Sequence, residues 1–96
     1  MTKIRPIVKA AFRCDALAYQ FCTIDVEDGL LTGGTAAEIV AEVNAKYDDR
    51  HILSDALNRQ AIALDNVQYL DTDDLDWPTY NRELGQLNRF ISKWGA

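Results

Sequence analysis

The chain has 96 residues, 48% of them apolar and 26% charged, and carries a net charge of −5. That is the composition of one ordinary globular domain, large enough to bury roughly 60–70% of the surface its unfolded chain exposes. No apolar run approaches the ~20 residues of a membrane span, and Met1-Thr2-Lys3-Ile4-Arg5-Pro6 lacks the apolar stretch of a secretory leader, so residues 1–96 are expected to form a single cytoplasmic domain.

Helical spacing begins at Pro6, where proline suits a first helical position because its missing N–H would have been unpaired anyway. Ile7, Ala10, Ala11, Cys14, Leu17, Ala18 and Phe21 follow the 3-4 spacing of one buried face, predicting a helix to about Cys22. Tyr19 to Val26 also reads as an alternating strand. Asp28-Gly29 and Gly33-Gly34 then mark turns around Leu30-Leu31. Thr35-Ala36-Ala37-Glu38 is a capping box that opens a second helix, with Ala36, Ile39, Val40, Val43 and Tyr47 on its apolar face. A third helix is expected from about Arg50 toward Asp65, its stripe formed by Leu53, Leu57, Ala61 and Leu64 with Ile52 and Ala56 beside it. Val67 to Leu70 is either its last turn or a short strand. After the acidic loop Asp71-Thr72-Asp73-Asp74-Leu75-Asp76, Trp77-Pro78 opens a fourth helix. In it Tyr80, Leu84, Leu87, Ile91 and Trp94 recur as a heptad-like seam, and Gly95 ends it. The fold class is therefore mainly α, a small single-domain bundle of about four helices.

Charge is segregated. Lys3, Arg5, Lys9 and Arg13 stand in the first 13 residues without an acid, whereas residues 14–49 hold eight acids against Lys46 alone. An acidic domain is repelled by phosphate backbones unless its bases gather on one face, which favours a basic protein partner over direct nucleic-acid binding. Cys14 and Cys22 match no zinc-ligand spacing, and His51 is the single histidine. On one helix the two cysteines would lie ~12 Å apart, too far for a disulfide. Reduced thiols, no metal and no cofactor are expected.

Each cluster that could carry chemistry has a plainer alternative. Asp71 and Asp73 begin like a calcium loop, but Leu75, Asp76 and Arg82 occupy positions where a ligand, a glycine and a glutamate belong. The loop reads better as a solvated one whose last acids favour the N-terminus of the following helix; an acidic patch offered to a basic partner is the further reading. Thr32-Gly33-Gly34-Thr35 precedes a helix N-terminus yet lacks the lysine of a phosphate loop. His51 has Asp55 one turn away, but no nucleophile motif surrounds Ser54, Ser92 or either cysteine, so no enzyme is expected. The seam of the last helix reads first as a plain core face, but Trp77 and Phe90 beside it and Arg82, Arg89 and Lys93 on its flank also suit a partner groove or a homodimer seam.

The expected function is thus stoichiometric protein contact by a small acidic regulator or inhibitor. Its partner-binding residues would be Asp71, Asp73, Asp74, Asp76, Tyr80, Arg82, Arg89, Lys93 and Trp94. In size and charge the chain resembles small phage-encoded inhibitors of host nucleic-acid enzymes, anti-CRISPR proteins among them. That resemblance implies carboxylates presented to a basic groove. Residues 35–70 also resemble a helix-turn-helix, with Val67 to Leu70 and Trp77 in a short β-wing and the last helix as dimeriser. The alternative is accordingly a dimeric DNA-binding regulator, with Asn58, Arg59 and Gln60 on base edges and Arg50 on phosphate. Asp48, Asp49 and Asp55 would crowd that DNA face.

Overall fold

The computed structural model describes residues 3–95. Met1, Thr2 and Ala96 fall outside, so the expected domain and its opening segment are followed from Lys3. Five α-helices and one π-helical segment follow in order: α1 (Pro6–Phe12), α2 (Asp15–Tyr19), the π segment (Gln20–Asp25), α3 (Ala36–Lys46), α4 (Asp49–Tyr69) and α5 (Trp77–Trp94). Among the described residues there is no strand. Residues 19–27 are helical throughout and Val67 to Tyr69 is the last turn of α4, so neither the alternating strand nor the β-wing forms.

The first expected helix is broken in two. Arg13 closes α1, Cys14 turns extended (φ −90°, ψ 118°), and α2 restarts at Asp15. The break is held from outside: the Asp15 N–H donates to Gln86 Oε1 at 2.9 Å, so α5 supplies the missing cap of α2. The buried stripe nonetheless runs on through the elbow, with Ile7, Ala11, Cys14, Leu17 and Phe21 all buried. Both cysteines are free thiols.

α3 starts where the capping box places it. Thr35 Oγ1 accepts from the Glu38 N–H at 3.2 Å, while Glu38 accepts from the threonine hydroxyl at 3.0 Å instead of reaching the backbone. Asp48 caps α4 in turn, accepting from the His51 N–H at 2.8 Å. Arg5 ties this junction to the N-terminus. Its N–H donates to Asn44 Oδ1, and its guanidinium donates to the carbonyls of Asn44 and Tyr47 and to Asp49 Oδ1 at 2.6 Å. A cation so placed satisfies carbonyls that the end of α3 leaves free.

α4 and α5 pair as an antiparallel hairpin, and the shorter helices pack around the end formed by the start of α4 and the end of α5. Phe21, Leu17, Leu31, Ile52, Leu87, Val8 and Val43 are its largest fully buried side chains. The core-facing stripe of α4 is Ile52, Ala56 and Ala63, rotated from the one the sequence suggests. Leu53 is half-buried, and Leu57, Ala61 and Leu64 are exposed. The seam of α5 behaves as expected: Leu87 is buried, Leu84, Ile91 and Trp94 pack partly buried against the core, and Tyr80 is half-buried. This seam faces the chain's own core, and Phe90 is buried as well.

Between residues 64 and 82 no side chain is fully buried. The hairpin there holds together by the Trp77 indole N–H donating to the Val67 carbonyl at 3.3 Å, with Trp77 half-buried. The molecule is accordingly elongated, 46 × 30 × 16 Å.

Candidate functional site

The residues expected to bind a partner lie in the loop before α5 and at separate places along that helix. Asp71, Asp73, Asp74 and Asp76 are all exposed at the hairpin tip. The loop is ordered by its own turns: the Asp74 N–H donates to the Asp71 carbonyl, the Asp76 N–H to Asp74 Oδ1 at 2.9 Å and the Trp77 N–H to the Asp74 carbonyl. Among these carboxylates stands Leu75, 94% exposed, and across the tip Tyr69 is 86% exposed. Ile62 and Leu64 are exposed as well, on opposite sides of α4. Among the described residues no group of three or more histidine, cysteine or acidic side chains is arranged to hold a metal ion.

Tyr80 lies one step inward. It lines a cleft with Tyr19, Ile24, Arg59, Asp76 and Glu83. The Arg59 guanidinium sits over the Tyr19 ring, 5.6 Å from its centroid, and burial raises the Glu83 carboxyl above its ordinary range. Arg82 is engaged elsewhere, its Nε 3.1 Å from Asp15 Oδ2. Arg89, Lys93 and Trp94 belong to the opposite end of α5, where they line a cleft with Arg13, Cys14 and Gln86. From Asp76 to Lys93 the helix rises about 25 Å, so the acidic tip and these cations do not form one continuous surface.

The residues assigned to base reading in the DNA alternative are mostly committed within the chain. Arg59 is half-buried against Tyr19, and Gln60 Nε2 donates to Asn88 Oδ1 at 2.7 Å. Asn58 and Arg50 are exposed.

A polar network that sequence patterning did not single out runs through the body. Asp25 is 4% exposed. Its Oδ2 accepts from the Tyr47 hydroxyl at 2.8 Å and its Oδ1 from Gln20 Nε2 at 3.0 Å. The π register makes the second bond available, because i→i+5 pairing stacks residues five apart that an α-helix would splay. The Tyr47 ring stacks on His51 with centroids 3.9 Å apart, and His51 Nε2 lies 3.4 Å from Asp55 Oδ2. Burial raises the Asp55 carboxyl above its ordinary value, with His51 acting in the opposite sense. His51, Asp55, Ser54, Asp48 and Arg50 line a shallow surface cleft. The sequence signal for this network was present only in part, as the His51–Asp55 spacing of one helical turn; the link to Asp25 is tertiary.

No helix among the described residues is long and apolar enough to cross a membrane. Comparison with protein-family models, with curated proteins and with solved structures finds no match to this chain.

Proposed function

We propose that this chain is a non-enzymatic regulator or inhibitor that works by stoichiometric protein contact, docking the tip of the α4–α5 hairpin onto a basic, partly apolar surface of its partner. The observation that carries this reading is Leu75, almost wholly exposed between Asp74 and Asp76 in an acidic loop, with Tyr69 also exposed at the end of α4. A large apolar side chain costs solubility there unless it is covered in use. Burying one leucine of this kind is worth about 1.5–3 kcal/mol, and the surrounding carboxylates would steer a cationic surface toward it. Interfaces combine these parts, an apolar anchor and a charged rim. The size and charge resemblance to phage-encoded inhibitors of nucleic-acid enzymes fits the same picture, since a groove that holds nucleic acid is basic.

The test is affinity capture from host extract with wild-type chain and two tip variants, Leu75→Ser with Tyr69→Ser, and Asp71→Lys with Asp73→Lys and Asp74→Lys. All these positions are exposed, so the variants keep the fold. Loss of a stoichiometric partner in both variants supports the proposal, and its retention in both overturns it.

DNA binding through α4 has less behind it, because Arg59 and Gln60 already hold intramolecular partners. Fluorescence anisotropy of a labelled duplex decides between them. Binding at low salt that collapses as salt rises would favour the DNA reading.

A further inference from the structure

The end of α5 away from the tip carries a feature that the proposed docking does not use. Arg13 at the α1–α2 elbow and Arg89 and Lys93 on α5 converge on one cleft of about 300 Å³. No acidic side chain lines it. Among the described residues none of the three cations forms an ion pair or a side-chain hydrogen bond; Lys3, Lys9 and Arg50 are likewise unpaired, but only these three share one cleft, while Arg5, Lys46 and Arg82 each hold a carboxylate. Three unpaired cations brought to one cavity repel one another, and no carboxylate on its wall offsets that repulsion.

The rest of the wall is aromatic and apolar. Trp94 and Phe90 line the cleft with Ala10, their ring centroids 6.5 Å apart. Lys93 Nζ lies 5.2 Å from the Trp94 ring centroid, which keeps the ammonium beside the indole. The elbow that brings Arg13 here is itself held by Gln86 through the Asp15 N–H, so the two sides of the cleft are fixed to each other. The volume is at the lower end of small-molecule clefts, and apolar walls with a few convergent charges are the usual makeup of such sites.

We infer that this cleft binds a small organic anion, a phosphate monoester carried on a flat aromatic body, with Arg13, Arg89 and Lys93 around the phosphate and Trp94 against the ring. Guanidinium groups suit phosphate because their planar donors engage two oxygens at once. A ring adds stacking area that a bare ion lacks. The site is independent of the hairpin tip.

The probe is adenosine monophosphate, and the readout is calorimetry on the wild-type chain, with its tryptophan fluorescence as the second measurement. Adenosine and inorganic phosphate, each holding half of the ligand, are expected to bind at least 10-fold more weakly than the nucleotide. Raising salt weakens the nucleotide further. The variant Arg13→Gln with Arg89→Gln and Lys93→Gln, all exposed positions, is expected to lose binding at least 30-fold with an unchanged far-ultraviolet spectrum. Leu75→Ser leaves it unchanged. Nucleotide binding that survives the triple substitution, equal binding of adenosine, or no saturation by 5 mM nucleotide would each overturn the inference.

Discussion

Substituting Tyr47 by Phe tests whether the buried carboxylate depends on the phenol. The ring stays, with its edge-on packing against Phe21 at 5.7 Å and its stack on His51 at 3.9 Å; only the hydroxyl that donates to Asp25 at 2.8 Å is removed. Asp25 keeps Gln20 on its other oxygen, so the loss is one charge-assisted bond, about 2 kcal/mol. For a domain of this length each kcal/mol lowers Tm by about 4–8 °C, and a drop near 10 °C is expected. The second signature lies in alkali. Burial, then the Asp25 hydrogen bond, raises the Tyr47 phenol well above its ordinary value of 10.0. The folded state therefore holds this proton more tightly than the unfolded chain, so that contribution is complete below pH 10 and is lost as pH rises beyond it. Urea unfolding of wild type and Tyr47→Phe at pH 8 and at pH 11 measures both effects: the gap is widest at pH 8 and narrows at pH 11. A gap below about 0.5 kcal/mol at pH 8, or one that stays constant between the two, would refute the reasoning.

The rotated stripe of α4 gives a paired comparison: Ile52→Ala is expected to cost about 2–4 kcal/mol, while Leu57→Ala and Leu64→Ala each cost under about 0.5; equal losses by urea unfolding would restore the stripe read from sequence. Gly29 adopts φ 78° with open space around its α-carbon, so Gly29→Ala loses about 1–2 kcal/mol through the backbone alone, and Gly29→Asn loses less. Hydrogen exchange should rank the hairpin by depth, with amides of residues 66–82 exchanging well before those of 52–58 and 87–91, because no side chain near the tip is fully buried. Protection that is uniform along α4 would contradict this order.

Helix positions were legible because their signals are local. The Thr35 cap, Pro6 and Pro78 at first turns, and the α5 seam each act within a few residues. The elbow at Cys14 was not legible, since Ile7, Ala11, Leu17 and Phe21 keep one stripe across it while the group that caps the restart, Gln86, is 71 residues from Asp15. The stripe of α4 was misplaced for a related reason. Leucine counts in a periodicity reading as strongly as isoleucine, but two of the three buried positions of α4 are the small residues Ala56 and Ala63, which such a reading weighs lightly. At the candidate site the acidic loop was visible in sequence as a run of aspartates. The π register that aims Gln20 at Asp25 was not, because no side-chain pattern distinguishes it from α spacing.

The separation of charge along α5 bears on how any partner can approach. Asp71, Asp73, Asp74 and Asp76 gather at one end, and Arg13, Arg89 and Lys93 at the other, about 25 Å apart along the helix. At physiological salt charges are screened over about 8 Å, so each end presents its own sign to an incoming surface despite the net charge of −5. A cationic surface is drawn to the tip and turned away from the cleft, which orients the encounter before any contact forms. One partner surface of uniform sign therefore cannot engage both ends. Arg82, midway, is neutralised by Asp15 and adds to neither. The loop aspartates from Asp71 to Asp76 and the cations Arg89 and Lys93 of α5 thus belong to two ends of unlike sign: an exposed, weakly buried tip, and an open cleft that Arg13 shares.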